Sequence, residues 1–213
     1  RDFFHDIASV TNLLSAWKEF KRGKRKKADV ARFEFRLEDN IWQLHQELIS
    51  KTYRHDLYED FYVCDPKRRH IHKASVRDRV LHQAIFRVLY PVFDQGFIFD
   101  SCSSRISKGT HFGVERLLSA CRKTSNNWRA PAYALKGDVR KFFDSIDHRI
   151  LRALIARKVH DTDTLWLIDI VFASFEKEKG KGLPLGNVTS QLFANIYLNE
   201  LDQFTKHQLK ARH

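Results

Sequence analysis

Three carboxylates lie close together in the stretch KGDVRKFFDSIDH, residues 136–148, of a strongly basic chain. Asp138 follows residues 133–136, a run that predicts a buried strand. A carboxylate at the exit of a buried strand is open to solvent, where a metal ion can reach it. An isolated Asp at such a position is more often a turn or cap residue. Asp144 and Asp147 are assigned to structure, as expected for acids that cap a helix starting near His148.

A second stretch with a chemical signature is GLPLGNVTSQLFANIYLNELD, residues 182–202. Gly186 has no Cβ, so its backbone can approach a ligand closely. Residues 187–190 include three typical helix-start side chains, and an amphipathic helix is predicted for residues 190–210. An ordinary capped helix accounts for the second half of this stretch, but it leaves the order of residues 183–186 unexplained.

Basic side chains concentrate in three further segments. The run KRGKRKK, residues 21–27, is either a solvated turn or a contact for a phosphate backbone. Residues 57–75 alternate apolar and polar side chains around Asp65-Pro66, which predicts a β-hairpin with a basic turn. The segment FIFDSCSSRISKGTH, residues 97–111, predicts a loop whose hydroxyl and basic groups suit phosphate or sugar contacts.

The 213-residue chain carries 38 Lys and Arg against 26 Asp and Glu, a formal net charge of +12. Such a charge points to a polyanionic partner, with nucleic acid as the first candidate, because each phosphate contact releases counterions. A charge that serves only solubility is the alternative. Three widely spaced cysteines argue against disulfides and for a reducing compartment. Since no apolar run reaches membrane-spanning length, we expect a cytoplasmic protein without membrane contact.

The elements that position these segments are mostly helices. Helices mixed with short strands, without a regular βαβ rhythm, predict an α+β fold, helix-rich with a small antiparallel sheet. Besides the helix at 190–210 and one that Pro91 should end, helical spacing of apolar residues is found at residues 6–20, 29–52, 112–123, 148–159 and 163–175.

Four segments resemble, in the same order, conserved blocks of the bacterial reverse transcriptases. They are DPKRRHIHKASVRDRVLHQAI at 65–85 and the segments at 97–111, 136–148 and 182–202. The resemblance implies the fingers and a partial palm of a right-hand polymerase. Its implied division is an N-terminal helical extension of the fingers at 1–56, the fingers at 57–130 and the partial palm at 131–213.

The resemblance also implies roles for individual residues. Asp138, together with the Val139 carbonyl, would hold two Mg²⁺ ions, or Mn²⁺ in their place, for two-metal nucleotidyl transfer. Phe143 would lie where a ribose 2′-hydroxyl must fit, and so would favour deoxynucleotides. The other implied contacts are triphosphate binding by Lys67 and Arg69, shaping of the nascent base pair by Leu185, Gly186 and Gln191, and nucleic-acid binding by Arg105, Lys108 and His111. Nucleic-acid binding by Lys24 and Arg25 is expected from the basic charge of residues 21–27.

The stretch around Gly186, residues 182–202, departs from the commonest sequence motif of this family. Most reverse transcriptases have Gln before the glycine and Pro after the serine, whereas this chain has Leu185 and Gln191. This motif resembles that of the reverse transcriptases of diversity-generating retroelements, where it is associated with error-prone copying of template adenines. The implied partners are an RNA template, a DNA or RNA primer, dNTPs and a small basic accessory protein.

The sequence contains no Asp-Asp pair, which the family places in an aromatic-x-Asp-Asp hairpin after the helix at 190–210. We therefore expect this chain to belong to a longer polymerase and to be inactive alone. Two alternatives stay open. One is a non-catalytic RNA-binding module derived from a reverse transcriptase, and the other is a retron, group II intron or antiphage enzyme of the same family.

Overall fold

A long helix, Val76–Asp94, runs through the centre of the hydrophobic core. The computed structural model describes residues 2–209, apart from the side chains of Asp65 and Lys67. In chain order the elements are α1 (Phe3–Ala8), α2 (Val10–Phe20), α3 (Ala28–Phe35), α4 (Leu37–Ile49), β1 (Glu59–Asp65), β2 (Lys67–Lys73), α5 (Val76–Asp94), α6 (Thr110–Thr124), α7 (Phe142–Ser145), α8 (His148–Ala156), α9 (Thr162–Ala173), α10 (Val188–Gln203) and a π-helical turn (Phe204–Gln208).

Helix α5 is buried because its neighbours cover it on several sides. It packs against α1, α2, α3 and α10, while α8 packs against both α9 and α10. A single core cluster, from Phe3 to Ile196, contains buried side chains from each part of the predicted division at 1–56, 57–130 and 131–213. The predicted α+β class, helix-rich with a small antiparallel sheet, is confirmed within the described chain. The division at 56/57 and 130/131 stays a prediction.

The predicted basic hairpin is present. Strands β1 and β2 pair antiparallel from Glu59 opposite Lys73 to Asp65 opposite Lys67, with Pro66 between them. Side chains alternate between the two faces of each strand. His70 and His72 therefore share one face of β2, and Arg69 lies on the other.

Two predicted single helices are each broken into two. Ser9 leaves the helical conformation between α1 and α2, and its hydroxyl accepts the N–H of Asn12 at 3.2 Å as an N-cap. Arg36 separates α3 from α4, with φ −120° and ψ 44°. The Asn40 side chain donates to the Phe33 carbonyl at 3.0 Å, so a terminal carbonyl of α3 keeps a partner after the break. Apolar periodicity runs through both breaks and conceals them.

The prediction of a buried strand at residues 133–136 is wrong. Residues 131–139 have no regular secondary structure and are exposed, and Leu135 is 103% exposed. A strand becomes buried only when neighbours supply its ladder and cover its face. The sheet in the part of the chain that the structure describes has two strands, β1 and β2, and neither pairs with this segment.

Pro91 does not end its helix, contrary to the prediction. It lies exposed inside α5, which continues to Asp94. Tyr90 and Phe93 are buried on either side of it, so core packing offsets the hydrogen bond that proline cannot donate. Between residues 2 and 209, no helix is both long enough and apolar enough to cross a lipid bilayer.

Asp147 caps α8, as predicted. Its carboxylate accepts the N–H groups of Arg149 at 2.9 Å and Ile150 at 3.2 Å. These hydrogen bonds lower the pKa of Asp147. The last predicted helix is found as α10 and the π-helical turn. Its expected end, Lys210, lies outside the described residues.

Candidate active site and nucleic-acid interface

The Asp138 carboxylate lies at the edge of an open cavity of about 390 Å³. Residues 101–103, Phe142 and the second half of α10 form the other walls of this cavity. Asp138 is exposed, and within the described chain no hydrogen bond or ion pair engages its carboxylate. Val139 lines the same cavity and is 50% exposed. The structure thus places the two predicted metal-binding residues where an ion from solvent could reach them.

A second carboxylate, Asp202 of α10, lines the cavity of Asp138. Burial raises the pKa of Asp202. Sequence reasoning missed this residue, although one signal was present: the acid directly follows Leu201, which belongs to the apolar face of the predicted helix. An acid beside an apolar helix face is a candidate for partial burial.

The two adjacent phenylalanines occupy different surroundings. Both side chains are half-buried against the core, and Phe142 also lines the Asp138 cavity. Their rings meet edge to face with centroids 5.7 Å apart. The Phe143 carbonyl accepts the N–H of Leu183 at 2.8 Å. The predicted steric gate is therefore anchored to the segment that leads into Gly186, and its neighbour Phe142 borders the cavity.

The Gly186 loop is docked on the hairpin. The N–H of His72 donates to the Leu185 carbonyl at 3.2 Å. Gly186 has φ +123°, a conformation that side chains disfavour, and a Cβ there would lie 3.4 Å from the His72 carbonyl oxygen. Gln191 is exposed in the first turns of α10. Leu185 and Gly186 thus contact the fingers hairpin, and Gln191 faces solvent.

A buried polar network supports this loop from beneath. His82 is 2% exposed, and its Nδ1 lies 2.7 Å from the Thr189 hydroxyl. Its Nε2 lies 3.1 Å from Nε2 of His55 and 3.3 Å from the side-chain nitrogen of Asn187. The same Asn187 nitrogen donates to the Tyr58 hydroxyl at 3.1 Å. This network joins α5, the residues before β1 and the start of α10.

The pKa values in this network follow from burial. Loss of solvent, reinforced by His55, lowers the pKa of His82 to about 3, so His82 is neutral at pH 7. Burial also raises the pKa of Tyr58. The sequence does not reveal this role of His82, because a lone His on a helix gives no signal of its partners. Asn187 was expected as a helix-start residue, and its side chain instead joins the network.

A smaller cavity of about 140 Å³ adjoins Gly186. Lys24, Arg79 and Gln83 are among its other lining residues. Burial lowers the pKa of Lys24, and the nearby Arg79 and Lys27 lower it further. The structure thus brings Lys24, predicted to bind nucleic acid, together with Gly186, predicted to shape the base pair. Arg25 lies exposed in the turn beyond it.

Ion pairs hold the start of α5. Arg77 contacts Glu47 at 2.5 Å and the fully buried Asp78 at 3.6 Å. Arg79 pairs with Asp29 at 2.8 Å. Because these arginines are engaged within the fold, their role is to fix α5 and the adjoining hairpin.

The remaining candidates differ in how free their side chains are. Arg69 is exposed on β2, and the side chain of Lys67, which begins that strand, lies outside the described residues. Arg105 is only 6% exposed; it binds Asp94 at 2.7 Å and the carbonyls of Ile98 and Ser101 at 2.8 and 3.0 Å. A contact between Arg105 and nucleic acid would require these bonds to break.

Lys108 and His111 border the same loop. The Lys108 ammonium donates to the Phe99 carbonyl and lies 4.4 Å from the centre of the Phe99 ring. His111 is exposed at the start of α6. The loop is therefore fixed from inside by Arg105, while His111 is directed to solvent.

Comparison with known proteins gives these sites a family context. Residues 64–213 match the sequence model of the family described as reverse transcriptase (RNA-dependent DNA polymerase). Protein YkfC of Escherichia coli (strain K12) is 26% identical over 180 residues, which cover 79% of this chain and 46% of that protein. Group II intron-encoded protein LtrA of Lactococcus lactis subsp. cremoris is 27% identical over 184 residues, covering 82% of this chain and 29% of LtrA. The chain therefore spans less than half the length of these two relatives.

The fold has a counterpart among solved structures. A chain of the partial Cas6-RT-Cas1–Cas2 complex superposes with a TM-score of 0.59 at 19% sequence identity, covering 95% of this chain and 35% of that chain. At this identity the match concerns the fold alone. The fingers and partial palm expected from the sequence are confirmed as the fold of this chain.

Proposed function

Because the chain belongs to the reverse transcriptase family, we propose that it supplies the fingers and part of the palm of an RNA-directed DNA polymerase. The observation that carries this proposal is the Asp138 carboxylate, which is exposed, free of any ion pair among the described residues and at the edge of an open cavity. A structural Asp usually caps a helix or pairs with a cation. Asp147, nine residues later, caps α8, whereas Asp138 makes no hydrogen bond or ion pair within the described chain.

The residues around Asp138 fit a hard divalent ion. Mg²⁺ prefers oxygen ligands, and the Asp138 carboxylate and the Val139 carbonyl are such ligands. Bound Mg²⁺, or Mn²⁺ in its place, would neutralise charge on the phosphoryl oxygens during nucleotidyl transfer. Asp138 cannot hold two ions by itself. We infer that the other ligands of a two-metal site belong to the longer protein, since the relatives are more than twice as long as the matched segment.

In this proposal the chain's own residues bind and orient the substrates. Arg69, with Lys67, contacts the triphosphate, for which a forked guanidinium is well suited. Phe143 limits the space beside the sugar. Leu185 and Gly186 shape the nascent pair from a loop that hydrogen-bonds to the same hairpin, so triphosphate and base would contact one connected unit.

The nucleic-acid path follows the basic surface. Lys24 and Arg25 lie in the turn beside the Gly186 cavity, and Lys108 and His111 lie at the 97–111 loop. The net charge of +12 supports a polyanionic template and primer. Arg105 holds the loop that presents Lys108 and His111.

The finer proposal is the diversity-generating, error-prone type. It is supported by Leu185 and Gln191, which replace the commoner Gln and Pro of the family. With Leu at position 185, the side-chain amide that the commoner Gln would place near the templating pair is absent. The hydrogen bond between Leu185 and His72 uses the backbone carbonyl of Leu185, so it does not depend on the side chain. The group II intron type is the alternative, since LtrA is among the relatives. Leu185→Gln with Gln191→Pro should reduce misincorporation opposite template adenine, and Leu185→Ile should leave it unchanged.

The general proposal is tested with the longer protein that contains this chain. On an RNA template with an annealed primer, it should add dNTPs in a reaction that requires Mg²⁺ or Mn²⁺ and stops on removal of the RNA. Salt-sensitive RNA binding without any synthesis would instead support the alternative, a non-catalytic RNA-binding module.

A further inference from the structure

Three side chains with metal-binding groups converge on one face of the hairpin. His70 and His72 alternate with Ile71 on β2, and strand pairing places Asp60 of β1 directly opposite His72. Nδ1 of His72 lies 2.6 Å from Oδ1 of Asp60, and Nε2 of His70 lies 3.7 Å from Oδ2. One ligand atom from each residue lies within 4.8 Å of the other two.

These separations approach those of a bound metal ion. Two ligand atoms at about 2.1 Å from one ion can be at most about 4.2 Å apart. Both contacts between Asp60 and the histidines fall within that limit, and the 4.8 Å that bounds all three ligand-atom separations exceeds it by about 0.6 Å. We propose that Asp60, His70 and His72 form a binding site for Zn²⁺ or another transition metal that prefers imidazole.

The ligand set selects the class of metal. Two imidazoles and one carboxylate suit Zn²⁺, Ni²⁺ or Cu²⁺, whereas Mg²⁺ takes oxygen ligands. The hairpin is also basic, with Arg68 and Lys73 close by on β2. A single carboxylate in such surroundings attracts a hard cation weakly. Affinity here depends on the two ring nitrogens, so this site is chemically distinct from the Asp138 cavity.

Aromatic packing holds the two imidazole rings in place before any metal binds. Tyr62 stacks on His70 with centroids 4.6 Å apart and planes 12° apart. Phe175 packs against His72 at 4.5 Å. The His72 side chain is 13% exposed, whereas the Asp60 side chain is 54% exposed. Fixed rings reduce the ordering cost of binding, and the open side at Asp60 leaves room for a water ligand.

A metal at this position would clamp the hairpin and the Gly186 loop together. It would join β1 to β2 through side chains, and the backbone of His72 already bonds to Leu185. Arg69 lies on the opposite face of β2, so the proposed site does not compete with the triphosphate contact. The inference does not depend on the proposed polymerase function, because its evidence is the geometry of the hairpin alone.

Calorimetric titration of the metal-free protein with Zn²⁺ tests the proposal. We expect saturable binding of one ion, at least about tenfold weaker in His70→Ala and in His72→Ala, and weaker in Asp60→Asn. Co²⁺ in place of Zn²⁺ should give visible absorption of the bound ion in the wild type and lose it in the double histidine variant. Zn²⁺ should also raise the unfolding temperature of the wild type only, because it binds the folded state.

Two control variants separate this site from other ligands. His160→Ala removes an exposed imidazole outside the hairpin, and Cys64→Ser removes an exposed thiol of β1. Both should bind Zn²⁺ as the wild type does. The proposal is overturned by the absence of saturable binding, by unchanged binding in the histidine variants or by loss of binding in Cys64→Ser. If a histidine variant does not fold in chelator, the exposed Asp60→Asn change decides alone.

Discussion

The N–H of His72 donates to the carbonyl of Leu185 at 3.2 Å, and this bond joins the fingers hairpin to the loop that carries Gly186. The two segments are far apart in the sequence. Beneath them, His82 contacts Thr189 of α10 at 2.7 Å. The hairpin, α5 and the start of α10 are therefore connected by hydrogen bonds. A substitution that shifts one of them should also shift the other two.

Gly186→Ala should destabilise the protein and reduce nucleotide incorporation. At φ +123° an alanine is strained, which costs roughly 1–3 kcal/mol. Relief of that strain would shift the loop away from His72. Urea unfolding gives the change in stability, and the Michaelis constant for dNTP reports the shift of the loop.

Gly109→Ala is the matched control for this change. Gly109 has φ 164°, which is ordinary extended backbone, and a Cβ there meets nothing within 4 Å. Because Gly109 is the N-cap of α6 and alanine is a poorer cap than glycine, stability should fall by no more than about 1 kcal/mol. Equal destabilisation by the two alanines would contradict the role given to the conformation of Gly186.

Acid should destabilise the fold through His82. Its pKa is about 3 in the folded state, against an ordinary 6.5 in the unfolded chain. As the pH falls from about 6.5 towards 3, the unfolded chain takes up a proton that folded His82 does not. The free energy of unfolding should therefore fall by up to about 1.4 kcal/mol per pH unit in that window, and above it His82 contributes no pH dependence.

The variant His82→Gln removes this titration while keeping a side chain that can hydrogen-bond. Because carboxylates also titrate in acid, the informative quantity is the difference in slope between wild type and variant. His160→Gln, at an exposed position, should keep the wild-type slope. A wild-type slope in His82→Gln would show that His82 does not carry the effect.

Substitutions at Arg105 and Lys108 should affect different properties: the first should lower protein stability and the second RNA affinity. Arg105→Ala removes the guanidinium that donates to the Asp94 carboxylate and to the carbonyls of Asp94, Ile98 and Ser101, which should cost about 2–4 kcal/mol. Lys108→Ala should cost about 1 kcal/mol or less, yet lower RNA affinity and reduce the slope of its salt dependence by about one. Filter binding at several salt concentrations, beside urea unfolding, measures both. A stable Arg105→Ala protein with weakened RNA binding would reverse these roles.

Phe143→Ala should raise incorporation of ribonucleotides relative to deoxynucleotides by about tenfold or more, because a bulky group beside the sugar is removed. Phe142→Ala is the comparison, since both side chains pack against the core and Phe142 also lines the Asp138 cavity. Single-nucleotide extension with rNTP and dNTP measures the ratio. Relaxed sugar selection in Phe142→Ala alone would move the gate to that residue.

Local patterns in the sequence predicted much of the fold. The alternation around Asp65-Pro66 predicted the hairpin, and the acid before an apolar stretch predicted the Asp147 cap. Both features depend on neighbouring residues alone. The helix breaks at Ser9 and Arg36 were missed because apolar spacing continues across them.

Features that depend on distant partners were not predictable in this way. The strand expected at 133–136 needs a neighbouring strand, which the described residues do not supply. His82 gains its significance from His55, Thr189 and Asn187, which are remote in the sequence. The Asp60, His70 and His72 cluster requires the pairing register of the hairpin in addition to its existence.

We expect Asp138 to serve catalysis, which primer extension by an Asp138 variant tests. In the longer protein, Mg²⁺-dependent primer extension on an RNA template should fall by at least about a thousandfold in Asp138→Asn, since ligand loss removes several kcal/mol of charge stabilisation. RNA affinity should be retained. Asp144→Asn, an acid of α7 in the same stretch, should extend the primer at the wild-type rate. Wild-type synthesis by Asp138→Asn would contradict the account.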